Sequence, residues 1–248
     1  MAEIKELLHR RNDLSTFLVH LTRDKDGRSA RDNLLSILRD GHLKAHGPMG
    51  LAASRAGRVP AFDELQKVVC FTETPLEQTW MMCEEISGRS IQLSPYGVAV
   101  TKKWARDRGA NPVWYLDQTP GPSASHDWLS RSVNELIDVA LQGCSIRQGT
   151  DGKFARLPAE DSQVARLAPY IETMGPTKDF AWEREWRRVG DLSFMRKDLV
   201  AVFAPALEQQ ALAAETPQYF GRYAAPLVFL DPIWGLETMI ERLAGVET

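Results

Sequence analysis

Short β-branched runs bounded by Gly or Pro alternate along this chain with segments of helical period, and they follow no regular strand–helix–strand rhythm. Segments 15–22, 68–72, 96–100, 112–116, 182–189, 198–203 and 226–230 read as strands. Helices are expected over 2–10, from Ser29 to Asp40, over 102–108, from Asp127 to 142, over 205–215 and over 234–243. Ser29 is a natural N-cap for a helix that buries Leu34, Leu35, Ile37 and Leu38, and Gly41 stands where a left-handed C-cap belongs. Residues 42–60, rich in Gly, Ala and Arg, read as a loop, and Pro120-Gly121-Pro122-Ser123 breaks the chain. Asp151-Gly152-Lys153 is a turn or hairpin signal. Without a βαβ repeat, the pattern predicts an α+β fold rather than a doubly wound sheet, as one domain over residues 1–248.

Composition narrows the class. Hydrophobic residues make up 44% and charged residues 25%, as in an ordinary globular protein. A formal net charge of -3 gives no global attraction to nucleic acid or anionic lipid. The three cysteines, Cys70, Cys83 and Cys144, form no CxxC pair, so reduced thiols are expected. The charged N-terminus lacks the apolar core of a signal peptide, and no window reaches the length of a membrane span. A cytoplasmic protein that makes no use of a membrane is the expectation. Walker A, GxGxxG, GxSxG and HExxH motifs are all missing from the sequence. His42 and His46, four apart between glycines, lack further ligands for a zinc site.

The densest chemistry lies in Trp182-Glu183-Arg184-Glu185-Trp186-Arg187-Arg188. As a strand it would put Glu183, Glu185 and Arg187 on one face and Trp182, Arg184, Trp186 and Arg188 on the other. A salt-bridged edge strand accounts for such a pattern. So does a site where a fixed carboxylate meets developing positive charge. Asp179 with Glu183 and Glu185 could form a divalent-metal cluster, but Arg184 and Arg187 would neutralise it, so no metal is expected. Near the N-terminus, His20 and Thr22 stand two apart on the first strand, where both could address one polar ligand.

These residues carry a resemblance. The His20-Leu21-Thr22 strand, the helix ending Ile37-Leu38-Arg39-Asp40-Gly41, the strand Cys70-Phe71-Thr72-Glu73 and the late Glu183-Arg184-Glu185-Trp186-Arg187 resemble the ADP-ribosyltransferase fold. That fold is a split mixed or antiparallel sheet with flanking helices. More narrowly, most of the chain resembles the AbiGi family of abortive phage-resistance proteins, which is labelled an antitoxin family. The likeness to the DarT toxins and the poly-ADP-ribose polymerases is confined to short motifs. The resemblance implies a phage-defence or toxin–antitoxin protein that uses NAD as substrate and transfers ADP-ribose to a nucleic-acid or protein acceptor. It also implies an alternative, a catalytically inactive antitoxin or sensor that binds a toxin or antitoxin from the same operon.

By motif, Glu185 would be the catalytic carboxylate, in preference to Glu183, and His20 would hydrogen-bond the ribose. Leu21, Thr22 and Thr72 would complete the NAD-binding strands, and Phe71 would stack on nicotinamide. The chemistry is self-consistent: breaking a glycosidic C–N bond leaves positive charge on the sugar, which a placed carboxylate stabilises. Phe71 departs from the tyrosine common in such enzymes and brings no hydroxyl.

Overall fold

The structure, a computed structural model, describes residues 13–55, 57, 60–86, 89, 91–119, 128–142, 145–148, 154–157, 163–176, 179–216, 219 and 226–245. In chain order the first elements are β1 (Phe17–Leu21), α1 (Ala30–Asp40), β2 (His42–Leu43), α2 (Pro60–Leu65), β3 (Val68–Thr72), β4 (Gly97–Thr101) and α3 (Lys102–Arg106). Then come β5 (Asn111–Pro112), β6 (Trp114–Asp117), α4 (Trp128–Gln142), β7 (Ser145–Gln148), β8 (Phe154–Leu157), α5 (Gln163–Leu167) and β9 (Ile171–Met174). The last are β10 (Glu185–Val189), β11 (Leu192–Ser193), β12 (Leu199–Phe203), α6 (Ala206–Glu215), β13 (Phe229–Leu230) and α7 (Leu236–Ala244). Helices and strands mix as the sequence predicts for an α+β chain.

Contacts divide the chain into two compact units. The first takes Met1–Leu43, Phe71–Arg108 and Ser193–Thr248, and the second Lys44–Cys70 and Gly109–Leu192.

In the first unit the strand order is β13-β12-β4-β1, with the Phe71–Thr72 end of β3 beside β1. β12 and β13 are parallel; β4 runs antiparallel to both β12 and β1, making the sheet mixed. The β1–β4 register pairs Val19 with Ala99 and Leu21 with Gly97. Gly97 is required there, since a Cβ would lie 2.4 Å from the His20 carbonyl oxygen. One face buries Val19, Leu21, Ala99, Ala201, Phe203 and Leu230 with Leu76, Met82 and Met239 of α7. Helix α1 begins as expected: Ser29 Oγ accepts from the Asp32 N–H, and Gly41 closes it at φ 58°. Arg31 of α1 reaches Glu208 and Glu215 of α6 at 3.2 and 2.5 Å.

In the second unit β6 and β9 pair in parallel, while β10 with β5 and β7 with β8 pair antiparallel. Its core gathers Leu51, Phe62, Ile137, Leu141, Ala165, Ala168 and Ile171. Buried Arg55 fastens α4 by its Nε to Asp138 at 3.1 Å and its Nη1 to Asn134 at 2.6 Å.

Several sequence expectations shift. The segment at 112–116 is two strands, because the chain leaves one partner at Val113 and takes another: Pro112 pairs with Trp186, and Trp114 with Ile171. The 42–60 loop contains β2 and a 3₁₀ turn over Gly50–Arg55. The 182–189 strand starts only at Glu185, as described below. β7 and β8 form the hairpin that Asp151-Gly152-Lys153 suggested, although that turn, the 2–10 helix and the 120–123 break lie outside the described residues.

Candidate functional site

In the first unit the register sets the geometry. Val19 pairs with Thr72, so the next residue of β1, His20, lies beside Phe71. Their rings meet edge to face, with centroids 5.9 Å apart and planes at 66°. Phe71 is only 2% exposed, so its ring is held within the protein. Thr22 lies just past the end of β1, and its hydroxyl is 2.8 Å from the Ala30 carbonyl and 3.1 Å from that of Tyr96. One hydroxyl carries one proton, so its donor capacity goes to these backbone oxygens. Its own N–H donates to Tyr96 O at 2.7 Å, tying the end of β1 to the approach to β4. Leu21 belongs to the apolar core. The Thr72 hydroxyl accepts from the Thr74 N–H at 3.1 Å and lies 2.7 Å from the Thr74 hydroxyl. Next to them, buried Glu73 holds Lys102 Nζ at 2.5 Å.

The second unit contains Glu185, and here the local backbone corrects the sequence expectation. Ala181–Glu183 is a 3₁₀ turn, and Arg184 adopts the left-handed conformation with φ 49° and ψ 52°. A residue at positive φ breaks the pleat, so Trp182, Glu183 and Arg184 do not continue the strand and Glu183 does not share a strand face with Glu185. Within β10, Glu185 and Arg187 do alternate onto one side, and Arg187 is buried.

Arg187 organises this region. Its Nε and Nη2 donate to the two oxygens of Glu185 at 2.9 and 2.8 Å. The same Nη2 reaches Glu172 of β9 at 2.9 Å, and Nη1 donates to the Pro169 carbonyl at 2.8 Å. The planar guanidinium suits this forked arrangement, whereas an ammonium could not span it. Gly50 closes the back of the cluster at φ +63°. A Cβ there would come within 2.1 Å of Ile171 O and 2.8 Å of Arg187 Nη1.

Electrostatics follow from the count of charges. Burial alone would lower the Arg187 pKa, but the Glu185 charge and its hydrogen bonds outweigh that, and the pKa is raised. Two carboxylates on one guanidinium leave the cluster with an excess negative charge, which neighbouring acids feel. Burial, then the Glu185 charge, pushes the Cys70 thiol well above its ordinary value. The Tyr115 phenol is raised for the same two reasons in the same order. Cys70 and Tyr115 are therefore neutral groups around a fixed ion-pair cluster, and neither is poised as a nucleophile. Elsewhere, Cys83 is a free thiol pushed up to about 11 by burial.

Of the residues marked from sequence, His20 and Phe71 come into contact, with Leu21, Thr22 and Thr72 in the same unit; Glu185 belongs to the other. Arg187 neutralises Glu185 as its spacing suggested, and Arg184 holds the left-handed position that closes the turn before β10. Glu172 and Tyr115 were missed as neighbours of Glu185. The β-branched and aromatic run Tyr170-Ile171-Glu172-Thr173 is the signal that could have revealed β9 and, with it, Glu172. His42 stands in β2 with Nδ1 3.1 Å from Ser193 Oγ, and the His46 backbone pairs with Val68. Among the described residues no group of three or more His, Cys, Asp and Glu could hold a metal ion, and no helix is long and apolar enough to cross a membrane.

A family model described as "Putative abortive phage resistance protein AbiGi, antitoxin" matches residues 62–213. No curated protein and no solved structure matches the chain. The matched span includes Phe71, Tyr115, Glu172 and the whole of β10, so it carries the ion-pair cluster complete apart from Gly50. With more than half of its 248 residues inside that match, the chain belongs to the AbiGi family.

Proposed function

We propose that this chain is an antitoxin-type component of a phage-defence system that acts by binding a partner protein encoded beside it. The observation that carries the reading is the state of Glu185, both of whose oxygens accept hydrogen bonds from the buried Arg187. A carboxylate that stabilises an oxocarbenium-like centre must offer its charge to the substrate. Here the charge is already met by a guanidinium at hydrogen-bond distance. The commitment of the Thr22 hydroxyl to backbone and the burial of Phe71 point the same way, because neither group is presented to a ligand. The family description supplies the biological setting, abortive phage resistance.

Co-expression with the adjacent gene product tests this. The two proteins should co-purify, the chain alone should be harmless to cells, and co-expression should relieve the neighbour's toxicity. A folded Glu185→Gln variant should still give that relief. Failure to bind or neutralise the neighbour would sink the reading.

The edge-to-face pair of His20 and Phe71 favours a second reading. In it the chain is an NAD-dependent ADP-ribosyltransferase acting on a nucleic-acid or protein acceptor, and His20 and Glu185 would be its catalytic residues. Leu21, Thr22, Phe71 and Thr72 would line the NAD site. Nicotinamide release from labelled NAD, lost in Glu185→Gln, would establish this reading in place of the first.

A further inference from the structure

β13 stands at one end of the strand order of the first unit, with β12 on its inner side. The Val202 and Ala204 N–H groups donate to Val228 O and Leu230 O at 2.8 and 3.0 Å, so 228 and 230 turn their carbonyls inward. In a parallel pair the intervening residue then points its backbone outward, which places the N–H and C=O of Phe229 on the edge away from β12. A groove of about 440 Å³ follows that edge. It is lined by Leu227, Val228 and Phe229, by Gln209 and Ala213 of α6 and by Arg242 of α7.

Two features specify what fits. A strand edge with no partner among the described residues calls for an extended backbone that supplies alternate donors and acceptors. The cation supplies the second constraint. Arg242 stacks 5.4 Å over Trp234 and has no carboxylate partner among the described residues. The α6 side is short and neutral: Gln209 spends its Nε2 on Ala204 O at 2.9 Å, and Ala213 offers only a methyl group. A strand laid here would turn alternate side chains toward α6 and toward Arg242.

We propose that the β13 edge is a docking slot for an extended, acidic segment of a partner polypeptide, which adds as a strand and places a carboxylate against Arg242. The slot rests on the partner-binding reading above and names the kind of segment the partner would supply.

The test uses the full chain, isotope-labelled for amide exchange, and two synthetic probes. One is acetyl-Thr-Val-Glu-Val-Glu-Val-Thr-amide and the other is its counterpart with Lys for each Glu. The acidic peptide should slow exchange of the Phe229 amide and bind about tenfold more tightly than the basic one. Arg242→Glu lies on the exposed face of α7 and should reverse that preference without changing the rest of the amide spectrum. Unchanged exchange at Phe229 with saturating acidic peptide, or equal binding of both probes, overturns the slot. A complex with the adjacent gene product that leaves the Phe229 amide unprotected also overturns it, while the antitoxin reading stands. Protection by the acidic peptide with no such complex supports the slot and overturns the antitoxin reading.

Discussion

Arg187 is a buried cation serving two carboxylates, and its value to the fold is best judged by what its removal leaves. Arg187→Leu would strand Glu185 and Glu172 in a site where their side chains are 14% and 13% exposed. Leaving a buried charge without its partner costs about 3–5 kcal/mol, so urea denaturation should show a loss of that order. Arg187→Leu combined with Glu185→Gln should recover part of it, because one stranded charge is then gone. Glycine at position 50 supports the same cluster by omission. Gly50→Ala would require a left-handed backbone in a residue with a Cβ and would press that Cβ onto the Ile171 carbonyl. A loss of about 2 kcal/mol or more is expected in the same measurement, and a stability equal to wild type would contradict the packing described here.

Among the elements, α1 tests how local chemistry sets boundaries. Ser29→Ala removes the acceptor for the Asp32 N–H and should cost about 1 kcal/mol, read as a lower thermal midpoint with little change in helical content. The ends of this helix were legible in the sequence because its cap and its αL glycine flank one helical run; of its expected buried face, Leu34 and Leu38 are buried while Leu35 and Ile37 are only half-buried. β1, β3, β4 and β12 were legible for a related reason: each is a compact apolar run containing β-branched residues, although β12 shifts register against β4 between Leu199 and Ala201. The stretch at Trp182–Arg188 was not. Its strand begins only after Arg184, which sits in the left-handed region, and a non-glycine residue there gives no signal in composition. Likewise the exchange of partners at Val113 depends on β9 and β10, which lie some sixty or more residues away. Of the candidate site, the contact between His20 and Phe71 could be anticipated from two strand patterns. The pairing of Arg187 with Glu172 depended on β9, which sequence reading did not anticipate.

Four weak acids with high ionisation ranges, spread over both units, are shifted upward: Cys70, Cys83, Tyr96 and Tyr115. Tyr96, first by burial and then by its 2.7 Å hydrogen bond to Glu208, is pushed up to about 12. Cys83 is pushed up to about 11 by burial, and Cys70 and Tyr115 are raised as well. Each is favoured in its protonated form by folding, so the folded chain retains protons that the unfolded chain releases at lower pH. Their contribution is therefore complete below about pH 8.5, the ordinary thiol value. It is lost as pH rises through the thiol and phenol ranges. Chemical denaturation from pH 7 to pH 11 should show stability falling through the upper half of that range. A flat profile would mean that these groups are not held as the fold places them.

The same molecule has a property that matters for its exchange between genomes. The chain passes from one compact unit to the other four times, at 43/44, 70/71, 108/109 and 192/193. Neither unit is a contiguous block of sequence. A recombination event that swapped a central segment between relatives would import fragments of both units at once and sever β3 from its own neighbours unless both parents matched closely. Variation in such a lineage is expected to accumulate by point substitution and loop change rather than by shuffling of halves, and chimaeras joined at residue 109 should misfold where chimaeras within a surface loop do not.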